Sequence, residues 1–257
     1  MDLGLDGCRA LITGASKGLG KACAKTLVDE GARVFICART RDEIERAARD
    51  VGAEGWAVAD LAKADEVSRL VAEATMALGG LDVLITNAGG PPTGLFENAG
   101  DADWDIAYRQ TLMSAVRLIR ESLPALKASG RGRIVNLTGF GVKEPPSDLC
   151  VSDSVRAAVT VMAKTLATDL APHGVTVNNV APGPIKTDRL IELFAARAKS
   201  AGITLEEQFN RFAATVPVRR IGEPEEVAGI CAYLCSLQAG YITGQSIVID
   251  GGINRSI

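Results

Sequence analysis

The 257-residue chain is 47% apolar but only 4% aromatic, carries 27 glycines and has a net charge of −3. A chain of this length can bury most of its surface in one α/β domain packed through small aliphatic side chains, so a single domain over 1–257 is expected. Acids and bases are interspersed, which leaves no basic face for nucleic acid. Met1–Asp6 is acidic, and no apolar run reaches the ~18 residues of a membrane span, so a soluble, cytoplasmic protein is expected.

In chain order, short aliphatic runs predict strands at Ala10–Thr13, Arg33–Cys37, Gly55–Ala59, Val83–Thr86, Arg133–Leu137, Thr176–Val180 and Ser246–Ile249. Between them, amphipathic stretches predict helices at Leu19–Glu30, Arg41–Val51, Ala64–Leu78, Asp103–Ser129, Ser152–Ala171 and Pro224–Leu237. Such alternation gives an α/β, doubly wound parallel sheet of seven strands, the Rossmann arrangement, with helices on both faces. One segment, 187–223, stands outside the alternation and carries helix signals of its own at Arg189–Ser200 and Leu205–Thr215. It follows the C-terminal end of a strand, where ligands bind in such sheets, and reads as a lid. Its Leu190, Phe194 and Phe209 suggest an apolar ligand portion. The Gly90-Pro91-Pro92 run predicts a stiff turn that shapes the pocket.

Metal and nucleophile chemistry find little support. Cys231 and Cys235 are spaced one helical turn apart and read as small buried apolar residues, not half of a metal site. The sole histidine, His173, lies in a helix-ending Ala-Pro-His-Gly and reads as solvated. Gly14-Ala15-Ser16-Lys17-Gly18 matches the Gly-x-Ser-x-Gly nucleophile elbow, but it follows the first strand, where elbows are not placed, and His173 would be its only base.

The same loop suits a phosphate better. Gly14, Gly18 and Gly20 allow a tight turn and close backbone approach to a pyrophosphate. Ser16, Lys17 and Leu19 then lead into a helix whose N-terminal amides and dipole favour an anion. The second strand ends in Ala38-Arg39. An acid there would accept the 2′-hydroxyl of NAD; Arg39, with Lys17 able to point the same way, favours the extra phosphate of NADP(H).

With these features in place, the chain resembles the short-chain dehydrogenase/reductase family over nearly its whole length. The motifs are Thr13-Gly14-Ala15-Ser16-Lys17-Gly18-Leu19-Gly20, Asp60-Leu61, Asn87-Ala88-Gly89, Asn178-x-Val180-x-Pro182-Gly183 and the ending Tyr241–Gly252. The resemblance implies that Asp60 touches adenine, with Leu61 beside it in the cofactor site, and that Asn87, Ala88 and Gly89 support the adenosine. It places Pro182 and Gly183 beside the nicotinamide, with the Ile185 backbone and Thr187 hydroxyl holding the carboxamide. A homotetramer or homodimer is implied too, with Val116, Val159 and Met162 fitting either an interface or the core.

The family's Tyr-x-x-x-Lys, serine and asparagine fall, by ungapped counting, on Ser152, Arg156, Gly139 (after Thr138) and Thr111. All four have changed. A phenol can be tuned toward neutrality by a neighbouring ammonium, whereas an aliphatic hydroxyl such as Ser152 is a far weaker acid. Loss of a positioned general acid costs on the order of 10²–10⁴ in rate. Arg156 can still donate to the nicotinamide ribose, yet a guanidinium cannot release a proton at neutral pH. Thr138, Asp148, Asp153, Lys143, Glu144 and Cys150 are candidates to replace the lost groups, each with a structural reading beside it; Asp153 in a first helical turn reads as a dipole partner, and Ser152-Asp153 as a helix start. Three readings stay open: an NADP(H)-dependent oxidoreductase of atypical mechanism acting on a small, partly apolar substrate, a non-redox isomerase, dehydratase or cyclase, and a non-catalytic nucleotide binder.

Overall fold

The computed structural model describes residues 2–91 and 93–256; Pro92 of the expected stiff turn lies outside the described residues. Seven strands form one parallel sheet in the order β3-β2-β1-β4-β5-β6-β7. They are β1 (Arg9–Ile12), β2 (Arg33–Ala38), β3 (Gly55–Val58), β4 (Val83–Thr86), β5 (Arg133–Leu137), β6 (Thr176–Pro182) and β7 (Ser246–Ile249). Successive side chains point to opposite faces. Ala10 and Ile12 therefore join a core with Ile36, Val83 and Ile85, while Leu11 joins a second core with Phe35 and Leu84. Burial on both faces is what the uninterrupted apolar runs require.

Helices α1 (Gly18–Asp29), α2 (Arg41–Val51) and α9 (Pro224–Cys235) cover the first face. Helices α3 (Ala64–Leu78), α5 (Ser114–Ser129) and α6 (Cys150–Leu170) cover the second. In α2 the buried residues are Ile44, Ala47, Ala48 and Val51, one stripe at helical spacing, and Gly52 ends the helix in the left-handed conformation (φ 78°). Cys231 and Cys235 of α9 lie in the apolar core, as their spacing suggested.

The expected helix over Asp103–Ser129 is interrupted. Helix α4 (Asp101–Ala107) passes into one π turn at Tyr108–Met113 before α5. Ser114 Oγ donates to the Gln110 carbonyl at 2.6 Å and the Thr111 carbonyl at 3.0 Å, so a side chain takes part in the widened turn. Helical spacing continues through such a turn, and the sequence pattern does not expose it. Helix α6 begins at Cys150, two residues before the expected Ser152, and Asp153 lies in its first turn as expected.

Two features bracket the sheet. At the N-terminal edge, Asp82 accepts from Arg9 Nε at 2.9 Å and the Arg9 amide at 2.9 Å, with Arg131 at 3.5 Å. Burial alone would raise this carboxyl, but the Arg9 bonds outweigh it and hold the group at about 2. Within the sheet, a side-chain ladder crosses four strands. Thr86 donates to Asn136 (2.7 Å), Asn136 to Asn179 (3.1 Å) and Asn179 to Ser246 (3.1 Å).

Candidate active site

Strand order reverses between β1 and β4, and the crevice at their C-terminal ends is where ligands bind in open α/β sheets. A cleft of about 610 Å³ opens there. Asn87, just past β4, fastens the glycine loop to this edge. Its Nδ2 donates to the Gly14 carbonyl at 2.9 Å, and Thr13 Oγ1 donates to the Asn87 carbonyl at 2.8 Å. A Cβ at Gly14 would stand 2.8 Å from the Asn87 carbonyl oxygen, and one at Gly20 would stand 2.4 Å from the Gly14 carbonyl oxygen. Gly18 adopts φ 56°. Each glycine is therefore required by close packing or by backbone sign.

The α1 N-terminus fits an anion. Among the described residues no side chain caps it, and its first turn carries no acid, whereas α2 and α3 open with Asp42-Glu43 and Asp65-Glu66. Free amides and the positive dipole end face the cleft beside Ser16, Lys17, Gly18 and Leu19. Gly20 lies beneath the loop and does not line the cleft. The hydrolase alternative fails on geometry. Ser16 follows the C-terminal end of β1, while His173 precedes β6 and so sits at the opposite sheet edge.

Around the second strand the charge reading needs two corrections. Arg39 does border the cleft, with its guanidinium 3.8 Å from where a Gly89 Cβ would stand. Lys17 does not join it; its ammonium pairs with Asp188 at 3.5 Å, on the lid side. The region is also not free of acids, because Glu43 of α2 lines the cleft and accepts from Ser16 Oγ at 3.5 Å. Helical spacing brings Glu43 back beside the glycine loop, a contact hidden from a reading of the strand end alone. Asp60, Leu61, Ala88 and Gly89 form the neighbouring wall.

At the other end, Pro182, Gly183, Ile185 and Thr187 line the cleft. Thr187 Oγ1 accepts the Leu190 amide at 3.4 Å and so caps the first lid helix. Asn178 is used in the framework, donating to the Ile242 carbonyl at 2.8 Å and accepting the Gln245 amide at 3.1 Å. The lid comprises α7 (Asp188–Ala201) and α8 (Leu205–Ala213). Phe194, fully buried, packs on Phe209 and Phe212 with ring centroids 4.9 and 5.0 Å apart. Phe194 and Phe212 reach the cleft, as do Leu190 and Leu193, while Phe209 serves the lid's own packing. Two arginines, which the sequence reading left without a role, tie the lid down. Arg189 donates to the Pro91 carbonyl at 2.7 Å, and Arg197 holds Asp148 at 2.5 Å.

Between these ends stand Thr138, Gly139, Ser152 and Arg156. Arg156 is half-buried and folded back on the sheet edge. It donates to the Thr138 carbonyl at 2.7 Å, the Leu137 carbonyl at 3.4 Å and, through Nε, Ser152 Oγ at 3.3 Å. Burial lowers its pKa, Asp153 opposes that and Arg189 adds to it. A Cβ at Gly139 would meet Arg156 Cδ at 3.6 Å, an ordinary contact. Thr111 lies behind, in the π turn, its buried Oγ1 without a partner among the described residues; with Thr138 and Arg156 it borders a cavity of about 20 Å³, room for a single water. Lys143 and Glu144 do not border the cleft. Both are exposed, and Glu144 accepts the Arg255 amide at 2.8 Å.

Asp153 holds the first-turn place that its sequence reading gave it, and the structure adds a position in the cleft. It is 6% exposed and lines the cleft, and no first-turn amide donates to it. Its Oδ2 has no hydrogen-bond partner among the described residues. Gly141 makes room for it, since a Cβ there would fall 2.0 Å from Oδ2. Burial raises this carboxyl to about 6, against the opposing pull of Arg156 and with some help from Asp148.

Comparison with known proteins agrees with this architecture. Residues 14–254 match a family model described as enoyl-(acyl carrier protein) reductase. NADPH-dependent reductase BacG of Bacillus subtilis is 33% identical, over 96% of this chain and 98% of the relative. Nodulation protein G of a Rhizobium species is 36% identical, over 97% and 98%. L-sorbose reductase from Gluconobacter frateurii, solved with NADPH and L-sorbose, superposes with a TM-score of 0.95 at 31% identity, covering all of both chains. Full-length matches to reductases of this kind, on a seven-stranded sheet with a glycine-loop cleft at its switch point, establish that the chain belongs to the short-chain dehydrogenase/reductase family.

Proposed function

We propose that the chain is an NADP(H)-dependent oxidoreductase of atypical mechanism. It acts on a small, partly apolar carbonyl or related compound without the Tyr/Lys/Ser/Asn tetrad. The observation that carries the cofactor half is the uncapped, acid-free α1 N-terminus opening into the cleft beside Arg39. Gly14, Ser16, Gly18 and Leu19 would hold the pyrophosphate and Arg39 the ribose phosphate, with Lys17 at the lid side. Asp60, Leu61, Asn87, Ala88 and Gly89 would border the adenosine, and Pro182, Gly183, Ile185 and Thr187 the nicotinamide. When bound, NADPH supplies the hydride. The named NADPH-dependent relatives support this reading, as do Leu190, Leu193 and Phe212, which give the substrate end an apolar wall.

In this reading the four tetrad positions hold Thr111, Gly139, Ser152 and Arg156. Ser152 Oγ already accepts from Arg156, so the hydroxyl can orient a substrate oxygen but remains a poor acid. Arg156 supplies fixed positive charge. Thr138 donates its hydroxyl to the Val180 carbonyl at 3.2 Å and keeps the β5 end in place. Val161 on α6 is exposed, and we assign the α4–α6 face to a homotetramer or homodimer contact, with light scattering as the check.

The test is NADPH binding by titration, followed by NADPH consumption with ethyl benzoylformate, menadione and a cyclic imine. Binding tighter than NADH's by tenfold or more, together with turnover of any probe, supports the proposal. A second reading, a non-redox enzyme or nucleotide binder, is favoured by one observation: the Arg156 guanidinium is already satisfied by backbone carbonyls. Tight NADPH binding with no consumption across the panel would select it.

A further inference from the structure

If the chain reduces a carbonyl, the proton must come from somewhere, and none of the four substituted positions offers an acid matched to neutral pH. Serine and threonine hydroxyls are too weak, a guanidinium holds its protons, and glycine has none. Resting on the oxidoreductase reading, we propose that Asp153 is the catalytic proton donor of this enzyme, displaced by one residue along α6 from the position the family uses.

Four observations converge on this carboxyl. It lines the cleft beside Ser152 and Arg156. It is more than nine-tenths buried, and its Oδ2 lacks any partner among the described residues, a state that costs stability. It occupies space that a side chain at residue 141 would fill, so Gly141 is the complement of this acid and not a free loop glycine. Last, its protonated form is favoured by burial, which keeps a population able to donate near neutrality.

Charged groups from three elements bear on it. Arg156, one turn away on the same helix, favours the carboxylate. Asp148, from the turn preceding α6, opposes it, although Arg197 of the lid holds Asp148. Arg189 of the lid acts on Arg156.

The step balances. As hydride reaches the carbonyl carbon, a C–H bond forms and the C=O π pair moves to oxygen. That oxygen takes the Asp153 proton, so an O–H bond forms as the carboxyl O–H breaks. The carbonyl is reduced to an alcohol and the nicotinamide is oxidised. Asp153, left as carboxylate, recovers its proton from water in the open cleft.

The experiment has two arms on full-length protein. In the first, carbon-13 NMR of aspartate-labelled protein with NADP+ bound follows the resonance that Asp153→Asn removes. A midpoint at or above about 6 is expected; one in the ordinary range near ~4 overturns the assignment. In the second, Asp153→Asn should lower kcat on the best of the probe carbonyls by about 10²–10⁴ and abolish the fall in kcat as pH rises through about 6. NADPH affinity should stay unchanged, which also reports an intact fold. Gly141→Ala, which pushes the carboxyl aside, should reproduce most of that loss with the acid still present. Turnover that survives Asp153→Asn within threefold overturns the assignment and leaves the reductase reading standing. Absence of turnover in the parent chain across the panel overturns both, whatever the NMR arm shows.

Discussion

Asp82 and Asp153 are both almost sealed from water, at 1% and 6% exposure, yet they occupy opposite ends of the parallel sheet in opposite electrostatic states. At the N-terminal end, Asp82 accepts three bonds from Arg9 and lies near Arg131; its carboxyl is held at about 2 in spite of burial. At the C-terminal end, Asp153 has an oxygen without a partner among the described residues and rises to about 6. Burial acts on both in the same direction, so partners decide the outcome. A satisfied buried charge ties strands together. An unsatisfied one stores a proton that chemistry can use.

The largest separation should come from removing each acid. Asp82→Asn leaves Arg9 and Arg131 without their anion and should cost on the order of 3 kcal/mol in a denaturant titration. Asp153→Asn should move the other way at pH 7–8, raising Tm by about 2–4 °C, because a carboxylate no longer has to be kept dry. The pH dependence carries opposite signs. Asp82 is depressed in the folded state, so its contribution is complete above the unfolded value near ~4 and is lost as pH falls through about 2. Asp153 is raised, so the folded chain loses stability as pH climbs from ~4 through about 6. The Asp153→Asn variant should lack that decline, and scanning fluorimetry from pH 4 to 8 would show it. Equal declines in both proteins would break the comparison.

A smaller effect isolates the C-terminal edge. Arg39→Ala should reduce the preference for NADPH over NADH by about tenfold, the value of one charge-assisted contact, while leaving Tm within about 1 °C. Glu43→Gln should act in the opposite sense, raising NADPH affinity by a few-fold. The smallest change expected is for Arg197→Ala. Its pair with Asp148 is part-exposed, so a cost of about 1 kcal/mol or less is predicted, read as a few-fold rise in KM with stability unaltered. A large Tm loss there would mean the lid is part of the framework.

The sequence carried the architecture well, because strands buried on both faces are unbroken apolar runs. Val83–Thr86, Arg133–Leu137 and Ser246–Ile249 were legible to the residue. It failed where local spacing hides a spatial fact. The π turn keeps helical hydrophobicity through Tyr108–Met113. Glu43 belongs to the next helix but returns beside Ser16, and Lys17 turns toward Asp188. The first-turn place of Asp153 was legible, but its position in the cleft was not. A first-turn aspartate normally serves the helix end, and only the empty side of Gly141, from another segment, shows where this one points. The glycine at residue 141 was the available signal.

The Thr86–Asn136–Asn179–Ser246 chain has a consequence for assembly of the sheet. Because side chains alternate, a one-residue slip of any of these strands would swing an amide or hydroxyl into hydrocarbon on the wrong face. Aliphatic strands such as these would tolerate misalignment among themselves, since one valine replaces another at little cost. The polar rungs remove that tolerance and hold even the edge strand to a single alignment, so the crevice loops leave β4, β5 and β6 at matching heights.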